Sequence, residues 1–154
     1  MPDKLPGKGS QRLNKAMGGA AGAALVFSLV AAFEGKRNDP YRDIVGVMLK
    51  IDAGAYSFEA GNVRHEHEWA VWKDTKLPDD KIILPGVVSH ATNVVEHPEL
   101  VAERIGRFTG LVGRERVIAS TDCGLGGRIH RDIAWAKLET LAQGAAIASR
   151  QLWR

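Results

Sequence analysis

The sequence holds one cysteine, Cys123, in 154 residues. That excludes an internal disulfide framework, and a solitary thiol fits a reducing, cytoplasmic compartment, where it is inert core filling, a nucleophile or a metal ligand. A basic stripe is also missing. The net charge is +3, but Lys and Arg are scattered among Asp and Glu, and aromatics make up only 6%. The footprint of nucleic-acid binding, a clustered basic face with interleaved aromatics, is excluded in favour of a solvated surface. Long, strongly apolar runs are scarce too. No charged residue occurs from Ala16 to Phe33, behind Lys4, Lys8, Arg12 and Lys15, which has the outline of a signal peptide or a membrane span. Its first half, AMGGAAGAA, contributes little transfer energy, and only LVFSLV is strongly apolar. The run is read as a buried strand behind a loose tail, with no membrane partner.

What is present is a globular composition, 45% hydrophobic and 25% charged, sufficient for one domain with a sizeable core. Residues 1–22 are expected to be a divergent, disordered tail, and residues 23–154 the domain. Within it one pattern recurs four times: a short apolar run, a loop and an amphipathic helix. AALVFSLV (23–30) is followed by Asp39 as N-cap, Pro40 at the first helical position, and a helix with Tyr41, Ile44, Val45, Met48 and Ile51 on one side. AYSFEA (55–60) precedes a helix around HEHEWAVWKD. KIILPGVVSH (81–90) precedes a helix opened by Pro98, with a stripe of Val101, Ile105, Phe108 and Val112; its acids lie early (Glu99, Glu103) and its bases late (Arg104, Arg107), as the helix dipole prefers. RVIAS (116–120) precedes a helix starting near Asp132, whose buried face is predicted as Ala134, Leu138, Leu141, Ala145 and Ala148.

Continuous apolar strands alternating with helices predict an α/β fold with a parallel sheet, either half of an eight-stranded barrel or a small open sheet. In both, polar residues at the carboxyl ends of the strands converge on one mouth, where ligands bind. Those ends carry Ser57 and Glu59, Ser89 and His90, and Asp122 and Cys123. Cys123 sits between Asp122 and a glycine-rich turn, STDCGLGG, that leaves room for another group to come close. Cys, Glu and His are all zinc donors. Taken singly, Glu59 reads equally as a helix cap or a partner of Arg64, and His90 as a rim histidine bonded to a backbone carbonyl; beside a metal His90 becomes a proton donor. In RHEHEW, His65 and His67 on a helix would point roughly 200° apart and do not chelate together. His97 reads as the residue before Pro98, and His130 as part of a surface loop.

The order SFEAGNVRHEHEW, GVVSHATNVVEHPELVAERI and RVIASTDCGLGG, within residues 38 to 152, resembles the C-terminal catalytic domain of the cobalamin-independent methionine synthase family, close to short relatives that include epoxyalkane:coenzyme M transferases. The resemblance implies the last four units of a (βα)8 barrel and a zinc-activated thiol substrate that receives a methyl or alkyl group. It implies Glu59 and Cys123 as zinc ligands, and His90 as the acid that protonates the leaving nitrogen of methyltetrahydrofolate. Asp122 matches the aspartate beside the cysteine, and Asn62, Arg64 and Asp122 are assigned to substrate contact. The family's H-x-C pair, two further zinc ligands, should fall near Phe27 and Leu29, where the sequence reads Phe27-Ser28-Leu29. The zinc site is therefore expected to be incomplete and activity impaired. The readings that follow are a fragment of a zinc-dependent S-methyltransferase acting on homocysteine or another thiol, an alkyl transferase of the coenzyme M type, and a non-catalytic remnant or interaction module. The last would self-associate or pair with a larger relative through its strand edges.

Overall fold

The run IILPGVV is flanked by turn-forming residues and is apolar on both faces, which suits a strand covered from two sides. It forms the seven-residue strand β3 (Ile82–Val88), of which only Leu84 is not fully buried. The computed structural model describes residues 25–26 and 40–154. Around β3 lie β1 (Leu25–Val26), β2 (Ala55–Phe58) and β4 (Ser120–Thr121), in the sheet order β1-β2-β3-β4. All neighbouring pairs are parallel. The alternation of apolar runs with helices thus yields the α/β parallel sheet expected of it. The strands are shorter than their apolar runs: β2 stops at Phe58, and the run at 116–120 makes an isolated bridge, Val117 to Ile83, before pairing resumes at Ser120. Asp39, most of 23–30 and the tail lie outside the described residues.

Among the described residues, three α-helices and an eight-residue 3-10 helix accompany the strands, with a short 3-10 turn, Arg114–Arg116, ahead of β4. Helix α1 (Pro40–Met48) starts on Pro40 and buries Tyr41, Val45 and Met48. After β2 the expected α-helix is a 3-10 helix, Glu66–Lys73. With three residues per turn, positions three apart share an edge. His65, Glu68 and Val71 have that spacing, and all three are buried. Helix α2 (Pro98–Val112) is capped by His97, whose side chain accepts the Glu99 N–H, a use of this histidine that its place before proline does not suggest. Arg104 is not a solvated late base: it is buried and donates to the Val87 carbonyl at 2.9 Å and to Glu66. Helix α3 (Arg131–Leu152) is capped in the same way by His130, which accepts from Asp132.

The buried face of α3 keeps part of the predicted stripe, with Ala148 buried and Leu141 and Ala145 packed against the same cluster, and departs from it elsewhere. Lys137, Thr140, Gly144 and Ala148 are buried, whereas Leu138 is 40% exposed. Two contacts turn the helix this way. Lys137 reaches Glu96 in the loop before α2 at 2.8 Å, and Gly144 lets α2 approach so closely that a Cβ there would lie 2.5 Å from the Cβ of Val101.

Two apolar clusters result. One gathers Tyr41, Phe58, Trp72 and Phe108 between α1, the 3-10 helix and α2; the other gathers Val87, Val88, Val101, Ile105 and Ala148 under α2 and α3. Phe58 is the hub of the first, with ring centroids 5.2 Å from Tyr41, 5.4 Å from Trp72 and 5.7 Å from Phe108. Among the described residues no helix is long and apolar enough to cross a membrane. Phe58→Ala is expected to lower the unfolding free energy by about 3–5 kcal/mol. A urea titration followed by tryptophan fluorescence checks this, and a loss below about 1 kcal/mol would contradict the hub role.

Candidate functional site

The parallel register brings three strand ends to one rim. Phe58 pairs with Pro85 and Thr121 with Val88, so Glu59, Ser89 and Asp122 leave the sheet at the same edge. The Asp122 N–H extends the β4 contact by donating to the Val88 carbonyl at 2.9 Å. Its carboxylate then binds the loop after β2: Oδ1 accepts from the N–H groups of Ala60 (2.9 Å) and Gly61 (2.7 Å), and Oδ2 accepts from Asn62 Nδ2 (3.0 Å). This fit requires two bare backbones. A Cβ on Gly86 would sit 2.4 Å from Asp122 Cα, and one on Gly61 would sit 2.9 Å from the Val87 carbonyl carbon. A glycine inside a strand is the sequence sign of such an approach. Asp122 is 3% exposed. Desolvation raises its pKa above the ordinary aspartate value, against the opposing pull of the Gly61, Ala60 and Asn62 donors.

Asn62 joins two carboxylates. The same Nδ2 also donates to Glu59 Oε2 at 3.0 Å, while Oδ1 accepts from the N–H groups of Arg64 and His65 and so opens the 3-10 helix. Asn62 is 5% exposed; its amide is spent on this bracing, and Arg64 is exposed. Beyond Glu59 stands His65, with Nε2 at 3.9 Å from Glu59 Oε2 and Nδ1 at 3.1 Å from Glu68 Oε2. The hydrogen bond to Glu68 raises the imidazole pKa, with the charges of Glu68 and Glu59 adding to it, against a lowering by burial. Sequence reasoning missed the His65 and Glu68 pair. The H-x-x-E spacing was its only signal, and it becomes a contact because the segment winds with three residues per turn.

His90, two residues past β3, is 9% exposed, and its Nδ1 is buried without a hydrogen-bond partner among the described residues. The reading in which a backbone carbonyl satisfies that nitrogen is not met. The loop carrying His90 is pinned from outside: Glu96 Oε1 accepts from Ser89 N at 2.6 Å, and Oε2 meets Lys137 Nζ at 2.8 Å. Lys137 is fully buried and also donates to the Val94 carbonyl, and Thr140 Oγ1 donates to the Glu96 carbonyl. Neither Glu96 nor Lys137 was legible as part of the site. Cys123 is a half-buried free thiol whose carbonyl accepts from Thr121 Oγ1 at 3.0 Å.

Glu59 and Cys123 have the right chemistry for zinc, but the chain does not present a closed donor set. Among the described residues no cluster of three or more His, Cys, Asp or Glu could hold a metal ion. Phe27, Ser28 and Leu29 lie outside the described residues, and the sequence has no His or Cys before His65. Of the remaining histidines, His65 is turned to Glu68, His97 and His130 cap helices, and His67 is exposed. A structural zinc site takes four protein donors and a catalytic one three, so the residues present do not fit the ion.

Comparison with known proteins agrees with the parallel α/β fold. No family profile matches the sequence. The 2-hydroxypropyl-CoM lyase of Xanthobacter autotrophicus (strain ATCC BAA-1158 / Py2) is 35% identical over 82 residues, which are 53% of this chain and 22% of that protein. The fold is similar to that of a B12-independent methionine synthase from Shewanella sp. W3-18-1, solved in complex with selenomethionine, at a TM-score of 0.64 and 22% identity over 73% of this chain and 31% of that one. The matched part of the chain thus spans about a fifth of the first relative and under a third of the second. These likenesses agree with the resemblance read from the motifs: over part of its length the chain is similar in sequence to the 2-hydroxypropyl-CoM lyase and in fold to the methionine synthase.

Two outcomes follow from the contacts. Because folding raises the His65 pKa above its ordinary 6.5, the protonated ring stabilises the fold fully below that pH, and this contribution disappears as pH rises through the folded value. Urea unfolding free energy should fall across that interval, and Glu68→Gln should flatten the fall; an NMR titration placing His65 at or below 6.5 would refute it. Lys137→Met leaves Glu96 buried and uncompensated, and should cost roughly 3–5 kcal/mol of stability, with amide exchange accelerated in residues 89–97. Unchanged exchange there would mean that the pair does not hold the loop.

Proposed function

We propose that this relative of the cobalamin-independent methionine synthases forms the last four units of a (βα)8 barrel and carries part of a site for transfer of a methyl or alkyl group to a thiol. The buried His90 imidazole carries the reading. A buried polar nitrogen without a partner costs about 1–3 kcal/mol, and such a cost is commonly kept where a ligand supplies the missing partner. At the carboxyl end of β3 the ring is suited to hold a proton for the leaving group of a donor such as 5-methyltetrahydrofolate, whose amine departs poorly unless protonated. Asp122, Asn62 and Glu59 line the adjoining strand ends, and Asn62 acts there by bracing carboxylates. Arg64, beside them, is offered as a contact for an anionic group on the substrate.

The described residues do not by themselves make the zinc site that activation of a thiol would need. Glu59 and Cys123 are the donors this chain offers, and two donors hold the ion weakly. The chain by itself is therefore impaired as a zinc-dependent transferase of homocysteine or another thiol, and a cytoplasmic setting keeps Cys123 reduced. The stretch Phe27-Ser28-Leu29, where the resemblance places the H-x-C pair, favours a second reading, a non-catalytic remnant or interaction module of the family.

Zinc titration of the purified chain against a competing chelator separates the readings. Partial transferase chemistry predicts weak binding that Cys123→Ser and Glu59→Gln each reduce further, together with a shift of the His90 ring signals when a methyl donor is added. Zinc held tightly and indifferently to Cys123→Ser would overturn the donor assignment. Absence of both the zinc response and the His90 shift would leave the non-catalytic module.

A further inference from the structure

Three buried polar atoms beside the first apolar cluster make no hydrogen bond among the described residues: Tyr41 Oη, Trp72 Nε1 and Glu68 Oε1. Their residues are 3%, 2% and 4% exposed, so bulk solvent does not satisfy them. Orphaned polar atoms are rare inside folded proteins, and three in one place call for a common cause. The three belong together. The ring centroids of Tyr41 and Trp72 are 6.4 Å apart. Glu68 Oε2 is engaged by His65 Nδ1 at 3.1 Å, which leaves Oε1 as the open acceptor. The Tyr41 phenol responds to both neighbours: burial and then the Glu68 charge hold its pKa well above the ordinary tyrosine value, and the Trp72 N–H pulls the other way.

The chemistry of these atoms narrows the occupant. An indole N–H only donates, an ionised carboxylate only accepts, and a phenol does both. A cation would face the indole N–H, and an anion would face the carboxylate. A ligand hydroxyl would match the pattern but would have to bring its carbon skeleton among residues closed to solvent. What fits is one small molecule that accepts from Trp72 and Tyr41 and donates to Glu68. We propose that Tyr41, Glu68 and Trp72 bind a single internal water molecule. Three polar partners are the usual complement of a buried water. The water joins α1, which carries Tyr41, to the 3-10 helix, which carries Glu68 and Trp72. It also extends a row of polar contacts that reaches the rim, from Glu68 to His65 at 3.1 Å, His65 to Glu59 at 3.9 Å, and Glu59 to Asn62 at 3.0 Å. Glu68 is thereby held from the core side as well as by His65. The water site needs no thiol chemistry, so a negative zinc result leaves it standing.

NMR of the full chain with isotope-labelled tryptophans tests this. The Trp72 indole N–H should show a cross-peak to water of opposite sign in laboratory-frame and rotating-frame experiments, the mark of a long-resident neighbouring water rather than of proton exchange. Tyr41→Phe should keep that cross-peak, which excludes relay through the phenol proton. The same variant should speed amide exchange across Glu66–Lys73 roughly two- to tenfold, the equivalent of one lost hydrogen bond. A crystal structure that shows ordered water should place an oxygen about 2.7–3.2 Å from all three atoms, and with the wild-type cross-peak it decides the matter should Tyr41→Phe unfold. Absence of the cross-peak at Trp72, its loss in Tyr41→Phe, or unchanged exchange in that variant refutes the proposal. So does a crystal structure in which Trp72 donates directly to Tyr41 and Tyr41 to Glu68, or in which a group from residues 1–24 or 27–39 takes the position.

Discussion

A buried carboxylate holds the rim together. Asp122 lies at the end of β4, yet both its oxygens are spent on the loop after β2, and its own N–H is spent on β3. Three strand ends thus meet on one residue. Burying an ionised carboxylate costs several kcal/mol by desolvation unless hydrogen bonds compensate; three donors do so here, and the raised pKa records how far burial still prevails. The cost buys position. Gly86 and Gly61 must be bare, Asn62 must be an amide, and the chain reversal that brings Glu59 beside His65 follows from those contacts.

A second buried charge does the same for the neighbouring loop. Lys137 and Glu96 fasten residues 89–97 to α3, leaving His90 enclosed with a nitrogen unsatisfied. The two devices differ in what they leave open. Both oxygens of Asp122 are matched, which makes a rigid floor, whereas one buried nitrogen of His90 is not. Rigid support beside an unfilled polar position is how pre-organised sites are built.

The same tie that orders the His90 loop reorients α3. Periodicity alone assigns its apolar stripe to the core, and Leu141, Ala145 and Ala148 do pack there, but Lys137 is drawn inward by Glu96 and Gly144 by the crossing with α2, which leaves Leu138 exposed. Periodicity reports which positions are apolar, and the polar contacts of a helix then decide which of them face inward. A similar limit applies to the 3-10 helix, where the pattern HEHEWAVWK shows an amphipathic segment but not its pitch. The pitch is decided by burying His65, Glu68 and Val71 along one edge.

By itself the sequence determined the alternation of strands and helices, the parallel sheet, the Pro-led starts of α1 and α2, and the strand ends that bear Glu59, His90, Asp122 and Cys123. These follow from local rules, since apolar periodicity, proline geometry and strand direction act over a few residues. Only the tertiary structure decided that Asn62 links Glu59 to Asp122, that His65 faces Glu68 and Glu59, and that Lys137 is an interior residue. Contacts such as Asn62 with Asp122, and Lys137 with Glu96, join residues 60 and 41 positions apart. No local pattern encodes such pairs, because they exist only when packing has removed the water that would otherwise satisfy each group alone.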